Sequence, residues 1–121
     1  MKYLKQKQYQ IIVLSNTSFS KNIVVKTLGE LCQYFDDIIV SSDYSFRKPH
    51  FAFFNVGISR LNVGKENIYY IGNSYYYDVY GSYNAGIKSI WFNEQNEMID
   101  HTLKCEYKEI KSYTQLIDED F

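Results

Sequence analysis

The sequence predicts an α/β fold, a three-layer Rossmann-like arrangement in which helices cover both faces of a parallel sheet. Short apolar runs alternate with segments of helical spacing, and the connections between them are short. The apolar runs lack polar alternation, which is typical of strands buried on both faces. Alternating strands and helices fold into a parallel sheet through right-handed crossovers.

Four strands are expected from continuous apolar runs bounded by polar or glycine residues. They cover residues 10–14, 38–40, 67–71 and 89–92. The first run, Gln-Ile-Ile-Val-Leu, is typical of a strand with neighbours on both sides. The third run passes into a glycine turn at Gly72, and polar residues follow at once.

Helices are expected between these strands. Residues 20–35 have helical spacing, with Ser20 as the N-cap and Asp36-Asp37 at the end. The apolar face of this helix comprises Ile23, Val24, Thr27, Leu28, Leu31 and Phe35. Residues 50–61 form a second helix, with Pro49 in its first turn. A helix of small residues covers 79–86, residues 112–118 form a short terminal helix, and residues 2–8 form a helix end or tail.

Composition narrows the class of protein. With 121 residues the chain is long enough for one domain with its own core. A net charge of −1 argues against a nucleic-acid-binding surface, and no apolar run is long enough for a membrane span. The first residues carry no apolar signal core, so we expect a cytoplasmic protein. Cys32 and Cys105 are too few for a zinc or disulfide pattern, and Cys32 is expected to be a buried free thiol.

Polar residues follow three of the predicted strands. Ser15 and Asn16 follow the first, Arg47-Lys48 lies in the loop after the second, and Asn73 and Asp78 follow the third. Loops after parallel strands meet at one edge of the sheet, where such folds place their ligands. A hydroxyl, an ammonium group and two oxygen ligands for a hard cation such as Mg²⁺ suit a phosphate group.

Each of these residues also has a plainer interpretation. Ser15 ends a strand and can cap the following turn, and Lys48 can be a solvated loop lysine. Asp78 can be a carboxylate favoured by the dipole at a helix start. Asn73 can be a turn residue that tolerates a left-handed conformation. His50 is expected to be a surface or capping residue, and Tyr75, Tyr76 and Tyr77 are expected to pack around the helix start.

Three segments, in order, resemble the motifs of the haloacid dehalogenase-like (HAD) superfamily of phosphohydrolases. Residues 11–16, Ile-Ile-Val-Leu-Ser-Asn, resemble the strand whose terminal hydroxyl and nearby amides bind the substrate phosphate. Arg47-Lys48-Pro49 resembles the motif whose lysine stabilises the charge of the nucleophile and the phosphate. Residues 72–78, Gly-Asn-Ser-Tyr-Tyr-Tyr-Asp, resemble the Mg²⁺-binding motif, and residues 81–87 resemble its usual continuation.

The resemblance assigns roles residue by residue. It implies phosphate binding by Ser15, Asn16 and Lys48, with Lys48 also catalytic, and metal binding by Asp78 and Asn73. It implies a phosphorylated small molecule as the substrate of intact relatives. Because Asn73 is an amide where the family has a carboxylate, we expect Mg²⁺ binding to be weak or absent in this chain.

The sequence departs from the family at its start. Family members open with a strand ending in Asp-x-Asp, whose first Asp is the nucleophile. The only such pattern here is Asp118-Glu119-Asp120, which we interpret as an acidic tail. The family's cap domain is also absent. Residues 1–121 are therefore expected to be a single, partial HAD-like core domain that lacks its central strand and is catalytically incomplete alone.

Three outcomes are expected for the exposed strand edges on either side of that position. The flanking strands close up, the N-terminal segment or a second copy fills the gap, or the chain is only marginally stable. The alternative function is a non-catalytic α/β binding or assembly module that docks on a partner chain supplying the missing strand. The expected partners are a second copy in a homodimer or a complementing N-terminal segment. A receiver-like signalling fold is a weaker alternative, because no acidic pair follows the first strand.

Overall fold

Within the residues that the structure describes, every strand pair of the computed structural model is parallel, and the strands form two separate sheets. The structure describes residues 1–99 and 102–118. Strand β1 (Ile12–Ser15) pairs with β2 (Asp37–Val40), with Ile12 opposite Asp37. Strands β3 (Tyr69–Gly72), β4 (Lys88–Phe92) and β5 (Lys108–Ile110) form the second sheet in that order. The predicted α/β class with a parallel sheet is confirmed.

Helices and tight turns connect the strands. The helices are α1 (Lys2–Gln6), α2 (Lys21–Leu28), α3 (Phe51–Ser59), α4 (Gly81–Asn84) and α5 (Gln115–Asp118). A π-helical segment, Tyr75–Tyr80, precedes α4 directly. Helix α3 packs against β1 of the first sheet and against α4, the helix that connects β3 to β4 of the second. No helix in residues 1–99 or 102–118 is long and apolar enough to cross a membrane.

One apolar cluster joins the two sheets. Phe54 of α3 packs with three buried residues near β3 and β4: Ile68, Ala85 and Ile87. Leu14 of β1 and Tyr70 of β3 pack against this cluster from the two sides. The sheets are therefore held together through α3 rather than through strand pairing. A second cluster, formed by Tyr75, Val79 and Trp91, anchors the π-helical segment on β4.

An open space, which we call the inter-sheet cleft, separates β1 from β3. Residues 11–14 line one side and residues 67–71 line the other, and its volume is about 900 Å³. The expectation that β1 and β3 close up is wrong, because the two strands belong to different sheets in the described part of the chain. Residues of α1, including Tyr3 and Leu4, line the cleft without pairing with either strand.

The predicted helix over residues 20–35 is wrong in its length. Helix α2 ends at Leu28, and a 3₁₀ turn, Gly29–Tyr34, follows it. Gly29 has φ of 57°, a left-handed conformation that glycine adopts readily and that stops the helix. The predicted apolar face is also broken, since Ile23 and Leu31 are 48% and 47% exposed. The Ser20 cap is confirmed, because its hydroxyl accepts the Ile23 N–H at 3.4 Å.

The start of α3 and the burial of Cys32 also differ from the sequence prediction. Pro49 lies before α3 rather than in its first turn, with a cis Lys48–Pro49 peptide bond. His50 caps α3, as expected, because its Nδ1 accepts the Ala52 N–H at 3.0 Å. Cys32 is free but half-buried rather than buried. Of the acidic tail, Glu119 and Asp120 lie outside the described residues.

Candidate functional site

The carboxyl ends of β1 and β3 meet around a buried ion pair. Lys48 Nζ lies 2.8 Å from Asp78 Oδ1, and the two side chains are 12% and 6% exposed. Lys48 arrives from the loop before α3, and Asp78 from the π-helical segment after β3. The structure therefore brings together two of the residues that the sequence placed at this edge. Burial strengthens their attraction and makes either charge costly if left alone.

Tyr70 completes a trio with this ion pair. Its hydroxyl lies 3.1 Å from Asp78 Oδ1 and 3.0 Å from Lys48 Nζ. Burial, with Asp78 as a negative neighbour, raises the pKa of Tyr70 well above 10.0. The phenol therefore stays protonated and donates to Asp78 while it accepts from Lys48. Tyr70 was missed from the sequence, although its position two residues before Gly72 puts it on the same face of β3.

Close packing at Gly72 holds Asp78 in position. A Cβ at Gly72 would lie 2.3 Å from the Asp78 carboxyl carbon, so only glycine leaves room for this carboxylate. The other carboxylate oxygen, Oδ2, accepts the Ser74 N–H at 3.0 Å. The Ser74 hydroxyl in turn accepts the Tyr77 N–H at 3.1 Å and caps the π-helical segment. Asp78 thus accepts three hydrogen bonds.

Asn16 fixes the loop that carries Lys48. Its side-chain amide donates to the Lys48 carbonyl at 2.9 Å, and its side-chain oxygen accepts the Lys48 N–H at 2.9 Å. Both polar groups of the Asn16 side chain are therefore used to clamp the lysine backbone. A phosphate contact by Asn16 would use its main-chain N–H or the second N–H of its side-chain amide. This positioning role was not predicted from the sequence.

Ser15 and Asn73 lie at the same edge with fewer contacts. Ser15 ends β1 half-buried, and its hydroxyl makes no hydrogen bond within residues 1–99 and 102–118. Asn73 is exposed, and its main-chain carbonyl accepts the Trp91 Nε1–H at 3.0 Å. A free hydroxyl at a strand end beside a lysine can donate to an anion.

The residues present do not make a complete Mg²⁺ site. Mg²⁺ demands near-octahedral oxygen ligands and is usually held by carboxylates. The described residues contain no group of three or more His, Cys, Asp or Glu side chains that could hold a metal ion. Asp78 is already engaged by three donors, and Asn73 brings no charge. These two residues alone therefore do not fit the metal.

A shallow pocket of about 440 Å³ opens beside Lys48. It is lined by Arg47, Lys48, Pro49, His50, Tyr76 and Tyr77. The guanidinium of Arg47 lies 5.8 Å from the centre of the Tyr77 ring, in range of a cation–π contact. Tyr75 is buried against Trp91 and packs at the helix start as expected, whereas Tyr76 and Tyr77 are exposed.

The motif order, the parallel fold and the lysine–aspartate pair all point to one family. Residues 1–92 match the family model described as haloacid dehalogenase-like hydrolase. The chain belongs to the haloacid dehalogenase-like hydrolases.

Named relatives include two phosphatases. This chain is 32% identical over 84 residues to a glyceraldehyde 3-phosphate phosphatase of Pyrococcus furiosus, covering 69% of this chain and 34% of that protein. It is 33% identical over 89 residues to the pyrimidine 5′-nucleotidase PynA of Streptococcus pneumoniae, covering 73% of this chain and 37% of that protein. The matched region thus spans about a third of these relatives.

Solved structures agree on the fold. The HAD-hydrolase YfnB of Bacillus subtilis, solved bound to magnesium, superimposes with a TM-score of 0.83 at 27% identity. The match covers 96% of this chain and 51% of YfnB. A HAD phosphatase of Thermococcus onnurineus gives a TM-score of 0.80 at 28% identity, covering 97% of this chain and 53% of that one. The chain therefore has the architecture of about half of each solved relative.

Proposed function

We propose that residues 1–121 carry the phosphate-binding half of a phosphohydrolase site that acts on phosphate monoesters of small molecules. The observation that carries this proposal is the buried Lys48 ammonium, held between Tyr70 and Asp78 at the carboxyl edge, where Ser15 offers a hydroxyl. Phosphatase relatives and the family match support it. Glyceraldehyde 3-phosphate and pyrimidine nucleotides are the substrates those relatives' names suggest for it.

The proposed chemistry follows from the charges. A bound phosphate accepts a hydrogen bond from Ser15 and lies against the Lys48 charge. Asp78 and Tyr70 orient the ammonium, since both bind it directly. Charge that develops on the phosphoryl oxygens during transfer is stabilised by this fixed cation.

The same geometry supports an incomplete reaction centre. Phosphoryl transfer needs an attacking group aligned with the phosphorus. Within the described residues, Asp78 is the only carboxylate in contact with Lys48, and its three hydrogen bonds make it a poor nucleophile. We propose that the nucleophile comes from outside these 121 residues and that Mg²⁺ binding by these residues alone is weak or absent.

Titration with inorganic phosphate tests the binding half of the proposal directly. Amide shifts from nuclear magnetic resonance are expected to move saturably at Ser15, Asn16 and Lys48. Lys48→Met and Ser15→Ala should weaken the binding, and the Lys48 variant should weaken it at least tenfold because a charge-assisted contact is lost. Lys26→Met is the matched control, because Lys26 lies on the exposed last turn of α2. Equal phosphate binding by the Lys26 and Lys48 variants would refute the assignment.

A further inference from the structure

Two aromatic side chains lie exposed beside Lys48 instead of packing in the core. Tyr76 and Tyr77 are 47% and 39% exposed, and neither hydroxyl makes a hydrogen bond within the described part of the chain. By contrast, Tyr75 is 8% exposed, and its hydroxyl donates to the Leu103 carbonyl at 2.7 Å. Packing in the core therefore accounts for Tyr75 and leaves the other two rings without a structural role.

The backbone that carries the two exposed rings is held by contacts on its buried side. The Tyr77 N–H donates to the Ser74 hydroxyl at 3.1 Å, and the Val79 N–H donates to the Ser74 carbonyl at 3.1 Å. The second of these bonds spans five residues, which defines a π-helical turn, a form found frequently at functional sites. Val79 also packs in a buried cluster with Trp91. A fixed backbone lowers the entropy lost when a ligand binds against the rings.

The wall of the shallow pocket beside Lys48 carries positive charge and no acidic side chain among the described residues. Besides the two tyrosines, its lining comprises Arg47, Lys48, Pro49 and His50. The Arg47 guanidinium lies 5.8 Å from the centre of the Tyr77 ring and forms no ion pair within the described part of the chain. A cation beside exposed aromatic rings favours a ligand that combines negative charge with a flat ring.

The Lys48 ammonium keeps one donor for such a ligand. It has three N–H groups, and two of them are used by the Tyr70 hydroxyl and the Asp78 carboxylate, at 3.0 and 2.8 Å. A phosphate monoester carries about two negative charges at neutral pH. Because Asp78 offsets part of the Lys48 charge, the unpaired Arg47 guanidinium supplies the rest of the positive charge that this phosphate needs. Lys48 itself lines the pocket, so a phosphate bound to it lies next to the aromatic wall.

We propose that this shallow pocket is the subsite for the organic group of the substrate, and that it selects phosphate monoesters whose organic group is a flat aromatic ring. The phosphate lies against Lys48, and the ring stacks on the exposed faces of Tyr76 and Tyr77. One ester oxygen joins the ring to the phosphorus, so the ring must lie beside the phosphate, where the pocket opens. This proposal rests on the phosphate site proposed above and names the class of ester that the site prefers.

Phenyl phosphate and cyclohexyl phosphate are the matched probes, compared at a pH where both are dianions. Burial of apolar area alone does not favour the aromatic ring over the saturated one. Aromatic rings attract each other beyond the effect of buried area, so phenyl phosphate should bind about threefold to tenfold more tightly. Equal affinities, or tighter binding of cyclohexyl phosphate, would overturn the proposal.

The location of the bound ring is tested separately. Nuclear Overhauser contacts should join the phenyl protons to the ring protons of Tyr76 and Tyr77, and their absence at saturation would contradict the proposal. Tyr76→Leu and Tyr77→Leu each remove a ring but keep an apolar side chain, so the ratio of the two affinities should fall towards one. Tyr83→Leu is the matched control, because Tyr83 is 40% exposed and does not line the pocket. If the variants do not fold, the selectivity and the proton contacts of the unsubstituted chain still decide the result.

Titration with inorganic phosphate separates failure of this subsite from failure of the phosphate site. If inorganic phosphate moves the amide signals of Ser15 and Lys48 but the two esters bind equally, the aromatic subsite is refuted and the phosphate site stands. If neither inorganic phosphate nor either ester moves those signals, the phosphate site is refuted and the subsite with it. The proposal requires saturable shifts at Ser15 and Lys48 with all three ligands, together with the preference for phenyl phosphate.

Discussion

The buried Lys48–Asp78 pair gives the sharpest prediction for stability. Replacing Lys48 with methionine keeps most of the length of the side chain but leaves the Asp78 charge without its cation. Breaking a buried pair typically costs 3–5 kcal/mol. Asp78 keeps two of its three donors, the Tyr70 hydroxyl at 3.1 Å and the Ser74 N–H at 3.0 Å. We therefore expect a loss at the low end, about 3 kcal/mol in the free energy of unfolding.

Urea unfolding followed by circular dichroism measures this loss. With a typical slope for a small domain, the midpoint should fall by roughly 1.5 M. Asp78→Asn alone should also destabilise the fold, because Lys48 then lacks a counter-charge. The double variant should cost about 2 kcal/mol less than the sum of the single variants, since neither buried charge remains. Lys26→Met, on the surface, should change stability by less than about 0.5 kcal/mol. Additive effects of Lys48→Met and Asp78→Asn would refute the buried pair.

Further predictions concern the neighbours of this pair and the start of β1. Gly72→Ala should lower the free energy of unfolding by about 1–3 kcal/mol, because the new methyl group overlaps the Asp78 carboxylate. A loss no larger than that of Gly64→Ala would contradict the close approach of Asp78 to Gly72. Tyr70→Phe should cost about 1–2 kcal/mol at neutral pH. The pKa of Tyr70 is raised well above 10.0 in the folded state, so its contribution to the free energy of unfolding is present below pH 10 and is lost as the pH rises further. The stability of the phenylalanine variant should therefore fall less steeply with pH in alkaline solution. Hydrogen bonds from the Ile11 N–H and from Lys5 lower the pKa of Asp36 below 3.8, so its contribution to stability is present above pH 3.8 and is lost on acidification. Asp36→Asn should therefore make the free energy of unfolding fall less steeply as the pH is lowered. An unchanged dependence on acid pH would refute this linkage.

The sequence predicted the fold and the approach of Lys48 to Asp78 for one physical reason. Loops after parallel strands lie at one edge, so the order of strands and polar residues already brings the two charges near each other. The roles of Ser15, Asn16, Lys48, Asn73 and Asp78 in binding or catalysis stay predictions until phosphate and metal binding are measured.

Contacts that depend on the shape of a loop or on a neighbouring strand were not predictable from the pattern. The clamp between Asn16 and the Lys48 backbone requires the particular path of the loop before α3. The Tyr70 hydroxyl reaches Asp78 because Gly72 lets the carboxylate fold back over β3. Strand β5 was missed because Lys108–Ile110 is short and mostly polar, and its pairing with β4 holds it in place. The break at Gly29 did have a signal, since a glycine inside a helical pattern often ends the helix.

Turnover of p-nitrophenyl phosphate in the presence of Mg²⁺ tests the central claim that residues 1–121 hold half of a phosphohydrolase site. These residues alone should give a rate no higher than that of their Lys48→Ala variant, because the attacking group is missing. Robust turnover that is lost on Lys48→Ala would contradict it, since a complete reaction centre would then lie within these residues.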